Sequence, residues 1–126
     1  MNTEAVVTVP AAEEWALVLR MAASGVGALY DLALDVMDDL GAAIDESLDL
    51  LLHQPLAPAR IEMRGFADEA GLHVGLFARD RGGRAREEAA DPEIAEAILS
   101  TLVIRADLEK DAEGVYGVWM TLPRKE

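Results

Sequence analysis

The stretch 35–53, DVMDDLGAAIDESLDLLLH, constrains the fold more than any other part of the chain. On an ideal helix, at about 100° per residue, Asp35, Asp38, Asp39, Asp45, Glu46 and Asp49 fall within an arc of about 120°. Met37, Leu40, Ile44, Leu48 and Leu51 recur on the opposite side at three- and four-residue intervals. A helix that is apolar along one side and acidic along the other has to lie on a core, with its acids toward solvent or a ligand. Taken alone it is an ordinary solvated helix, and any function has to come from what the flanking segments bring to it.

The rest of the chain can supply that core. It has 126 residues, 52% hydrophobic and 28% charged, which suits one globular domain over 1–126. No apolar run approaches the roughly 20 residues of a membrane helix, and the N-terminus lacks the pattern of a secretory signal, so a cytoplasmic protein without a membrane partner is expected. The absence of cysteine removes disulfides, thiolate catalysis and cysteine-based zinc sites. A net charge of −13 repels a phosphate backbone, and no basic stripe offsets it, so direct nucleic-acid binding is not expected. The charge fits a basic protein partner, and it equally serves solubility.

Along the chain, TEAVVTV over 3–9 reads as a first strand closed by Pro10. Over 11–30 the spacing turns helical, with Trp15, Val18, Leu19, Ala22, Val26 and Leu29 as an apolar stripe. The acidic helix follows and ends near His53, before the connector QPLAP. Ile61 and Met63, then Leu72, Val74, Leu76 and Ala78, alternate as two strands of a hairpin about DEAG. DRGGRAREEAA over 80–90 has no apolar period and reads as a surface loop. Asp91 and Pro92 start a third helix, with Ile94, Ala97, Ile98, Thr101 and Leu102 as its buried stripe. A second hairpin over 104–109 and 115–122 closes the chain around KDAEG. This order predicts an α+β fold, a two-layer sandwich with about three helices on one face of a mixed sheet.

In this order the segments resemble the anti-sigma-factor and serine-protein-kinase branch of the GHKL, or Bergerat-fold, ATPases. DVMDDLGAAIDESLDL over 35–50 is similar to that branch's D-D-I-E-D-L-x-L-A-V-D-E-A-C-x-N helix, and LSTLVIRADLEKDAEGVYGVWMTLPRK resembles its closing helix and hairpin. The resemblance implies a histidine-kinase-like ATPase domain that regulates transcription by binding a sigma factor or an anti-sigma-factor antagonist, and it implies a homodimer. It also assigns roles. Glu46 stands where the family has its catalytic base, and Asp80, Gly82 and Gly83 stand in for the adenine-binding Asp-x-Gly-x-Gly loop, with Arg84 in place of the last glycine.

The departures from the family are as informative. Leu50 occupies the place of the asparagine that holds Mg²⁺, and leucine has no oxygen to offer; Asp49, rotated by about 60° from Glu46, is a weak substitute, so no metal site is expected. The family's nucleotide lid is shortened here, and between Arg84 and Leu102 the chain has no glycine with which to cradle phosphates. The expected protein is therefore a degenerate regulator with its nucleotide chemistry lost and no cofactor. Two rivals stand beside it: an active ATP-dependent serine-protein kinase using Mg·ATP with Glu46 as base, and a dimerisation or scaffold module. His53 and His73 are the only histidines, and neither has a second imidazole near it in sequence.

Overall fold

The structure is a computed structural model, and it describes residues 3–84 and 89–124. Strand β1 (Ala5–Pro10) leads through a short 3-10 turn, Glu13–Trp15, into helix α1 (Ala16–Leu29) and then helix α2 (Leu34–Leu52). The short strand β2 (Leu56–Ala57) precedes the hairpin of β3 (Arg60–Asp68) and β4 (Gly71–Arg79). After β5 (Gly83–Arg84) come helix α3 (Pro92–Ser100) and the hairpin of β6 (Arg105–Asp111) and β7 (Gly114–Leu122).

Five strands form one sheet in the order β1-β3-β4-β7-β6. Every ladder in it is antiparallel, so the expected mixed sheet is corrected. The reason is topological. Both hairpins pair with themselves, β4 then pairs with β7, and β1 adds to the free side of β3, so no parallel crossover arises. Pro10 falls inside β1 rather than after it, which an edge strand tolerates because the missing N–H breaks no inner ladder. QPLAP, read as a plain connector, contributes β2, which pairs with β5 as a separate two-stranded sheet. Of the expected surface loop over 80–90, residues 85–88 lie outside the described residues.

One face of the large sheet carries Val9, Ile61, Met63, Val74, Leu76, Val118 and Met120, and the helices cover it. From α2 come Leu40, Ala43, Ile44, Ser47, Leu48, Leu50 and Leu51, all buried, as the spacing of the acidic helix requires. The opposite face of the sheet carries Phe66, His73, Phe77 and Trp119, whose rings meet at 4.9–5.7 Å between centroids.

Two expected faces need correction. On α1 the buried row is Leu19, Ala23 and Gly27, whereas Val18 and Leu29 are 41% and 78% exposed. Small residues at four-residue spacing let α1 approach its neighbours closely, and Gly27 lies against Leu32 and Met37. On α3 the buried residues are Ala95 and Leu99, while Ile94 and Ile98 are 60% and 40% exposed. The two rows are adjacent on the helix. Asp91 caps α3 by accepting from the Glu93 N–H at 2.9 Å, and packing against α2 and β6 then selects the row with the smaller residue. Among the described residues no helix is long and apolar enough to cross a membrane.

Candidate functional site

The acids of α2 are placed as its periodicity requires. Asp35, Asp38, Asp39, Asp45 and Asp49 are exposed, and Glu46 is half-buried. Burial pushes the Glu46 carboxyl above its ordinary value, and the neighbouring Asp49 charge adds to the shift in the same direction. One turn on, Leu50 is fully buried in the core. The position that holds Mg²⁺ in the resembled family therefore offers a hydrocarbon, and the residues present do not fit the ion there.

Asp49 is turned toward the end of its own helix. The His53 Nδ1 donates to the Asp49 carbonyl at 2.7 Å and lies 3.3 Å from its carboxylate. Glu13, from the 3-10 turn, brings a third ligand atom, so that Glu13, Asp49 and His53 each present one within 4.8 Å of the others. These are the residues that could hold a cation. Sequence reading missed Glu13 because it sought a second imidazole near His53, whereas the fold delivers a carboxylate from another element. His73 is engaged structurally: it meets Asp68 at 2.7 Å and Thr121 at 3.0 Å and stacks on Phe66.

The loop that stands in for the family's adenine site is tied to its own protein. The Arg60 guanidinium holds the Asp80 carboxylate at 2.7 Å, and Asp80 adopts a positive φ of 55°, a conformation short polar side chains tolerate. Gly83 pairs with Ala57 across β5 and β2, and Gly82 is exposed. Arg81, between Asp80 and Gly82, makes a forked pair with Asp111 at 2.7 and 3.1 Å and lies over the Tyr116 ring at 5.3 Å. Asp80 is thus paired with Arg60, whereas the charge that acts on Glu46 is the like charge of Asp49.

A different surface, which the sequence did not single out residue by residue, lies between α1 and α2. A groove of about 480 Å³ has Leu17, Met21 and Ser24 on its α1 wall and Met37, Gly41 and Ala42 on its α2 wall. Leu17 is 56% exposed and Met21 65%. Asp38 stands on the rim, and an ion pair of Arg20 with Asp45 at 2.6 Å crosses it. Asp45 also borders a second cavity of about 200 Å³, lined by Glu13, Ala16, Leu48 and Asp49. Neither cavity is lined by Glu46, Asp80, Gly82 or Gly83. The expected stripe on α1 hid this groove, because Leu17 and Met21 sit on the side assigned to solvent.

Gln54 is the other residue that sequence reading passed over. It is buried just beyond α2, donates to the Leu50 carbonyl and accepts from the Val115 N–H, each at 2.9 Å. Comparison with known protein families found no match, and neither did comparison with curated proteins.

Proposed function

We propose that this chain is a regulatory protein, resembling an anti-sigma factor, that acts by binding a sigma factor or an anti-sigma-factor antagonist rather than by nucleotide chemistry. The observation that carries the reading is the exposed apolar row of Leu17, Val18 and Met21 on α1, set beside the acids of α2. Large apolar side chains grouped on a surface and rimmed by charge favour a protein partner. Leu50, buried and without an oxygen, supports the loss of the metal-dependent step, because phosphoryl transfer depends on positioning metal and γ-phosphate together.

The test is to mix the purified chain with purified sigma factors and antagonists and to follow complex formation by size-exclusion chromatography, with transcription in vitro as the second readout. A complex that represses transcription, or is relieved by an antagonist, is expected. Failure to associate with either class overturns the reading in favour of a scaffold module, and sedimentation of the chain alone shows whether it is a homodimer.

The kinase reading keeps one observation of its own, the raised pKa of Glu46, which makes that carboxylate a better base. On that reading Mg·ATP at about 100 times its dissociation constant adds roughly 2.7 kcal/mol to stability. Unchanged melting with millimolar Mg·ATP, together with no phosphate transfer to an antagonist, removes it.

A further inference from the structure

We infer that the α1–α2 groove seats one amphipathic helix of a protein partner, with the partner's apolar edge lying between Met21 and Met37 and its Lys and Arg side chains meeting Asp38 and the other acids of α2. The inference rests on the protein-binding reading above and specifies the partner's chemistry.

Length is the first argument. The walls 17–24 and 37–45 run for about 10–12 Å at 1.5 Å per residue, which matches the separation of residues i and i+7 on a helix. A helix therefore places large apolar side chains from two successive turns in the groove, the helix-in-groove mode of recognition. Methionine on both walls, Met21 and Met37, suits a surface that adapts to such side chains. Gly41 leaves room for the Arg20 side chain, which would stand 3.7 Å from an added Cβ, so the occupant lies against the Arg20–Asp45 bridge.

Charge decides the class of occupant. The 3-10 turn and the three helices carry ten acids and a single base, Arg20, which is already paired with Asp45. The five strands of the large sheet carry five acids and five bases. The helix layer thus holds most of the net charge of −13, and it steers a basic segment to the groove. Anionic lipid and nucleic acid are repelled by the same acids.

The test uses a fluorescein-labelled 18-residue model helix with leucines at i, i+4 and i+7 flanked by Lys and Arg, and its twin with Glu at every basic position. Fluorescence anisotropy with the full chain is expected to give saturable 1:1 binding of the basic peptide and at least tenfold weaker binding of the twin. Gly41→Met fills the groove without touching the core and keeps the helix intact, so it is expected to weaken binding at least tenfold while melting no earlier than the parent. Met21→Glu is expected to weaken it to a similar extent. No saturable binding, equal binding of the two peptides, or binding indifferent to Gly41→Met overturns the inference. So does association with vesicles containing phosphatidylserine that Met21→Glu abolishes, since the face would then serve lipid. If a sigma-factor complex forms and survives Gly41→Met, the regulator reading stands and the groove is not its seat.

Discussion

By donating to the Leu50 carbonyl and accepting from the Val115 N–H, buried Gln54 joins the end of α2 to the start of β7. Replacing it with leucine keeps the bulk and leaves the Val115 N–H without its acceptor, which costs the desolvation of a buried donor. Gln54→Leu is expected to lower stability by about 2 kcal/mol in urea unfolding. Glu46 acts in the opposite sense. Its folded pKa is raised, so the folded chain suffers a penalty at neutral pH that fades as pH falls through that raised value and vanishes below the unfolded one. Glu46→Gln is therefore expected to stabilise the protein at pH 7, by up to about 0.5 kcal/mol, and to give no gain at pH 3. The position of Glu46 on the acidic face of α2 could be read from helical spacing alone. The role of Gln54 could not, because the N–H it accepts from, that of Val115, is 61 residues away and a polar residue between a helix and a proline looks like any connector.

At the scale of elements, the spacing in the chain defined α2 and the β3–β4 hairpin well, because in both an apolar period coincides with the face that meets the helix–sheet core. It failed on α3, where two adjacent rows are both apolar and only contact with α2 and β6 chooses between them. The outer face of the sheet was illegible for another reason. Phe77 and Trp119 fold over Gly75 and Gly117, and an added Cβ at Gly75 would stand 2.6 Å from the Phe77 ring and 2.8 Å from Trp119. Glycine is thus required on two neighbouring strands so that aromatic rings can lie flat on the sheet, a relation between β4 and β7 that no local pattern announces. Gly75→Ala is expected to destabilise the protein by about 1–3 kcal/mol by overpacking, and to alter the near-ultraviolet circular dichroism of Trp119. Adding Phe77→Leu should recover part of the loss, because the smaller side chain vacates the space the new methyl needs. An unaltered near-ultraviolet spectrum in Gly75→Ala would show that the rings do not cross the glycine.

At the scale of the molecule, the ten acids and one base of the helix and 3-10 segments make folding work against its own charge. In the folded state these carboxylates are held side by side on α2 and its neighbours, whereas in the unfolded chain they move apart. Raising NaCl from 20 to 500 mM shortens the screening length from roughly 20 Å to about 4 Å, which relieves repulsion across a helix layer of this size. The opposing loss, weakened surface pairs such as Arg20–Asp45, is small, because exposed pairs are worth little to begin with. Added salt is therefore expected to raise the melting temperature at pH 7 by about 3 °C, on the order of 1 kcal/mol. Near the sequence pI of about 4.4 the net charge disappears, and the same titration should be flat or inverted, since salt then screens only favourable pairs. Acid also has a direct cost. The hydrogen bond from His73 holds the Asp68 carboxyl below the usual range, and the Arg81 guanidinium does the same for Asp111. Both pairs contribute stability above the unfolded carboxylate value and lose it as pH falls through their lowered folded values. Stability at low salt is thus expected to rise as pH drops from 7 toward 5, where repulsion lessens, and to fall modestly below the ordinary carboxylate range, where these two exposed pairs are lost. Thermal melts across pH 3–8 at both salt concentrations check this, and a salt response of the same size at pH 7 and at pH 4.4 would show that charge crowding on the helix layer is not what limits the fold.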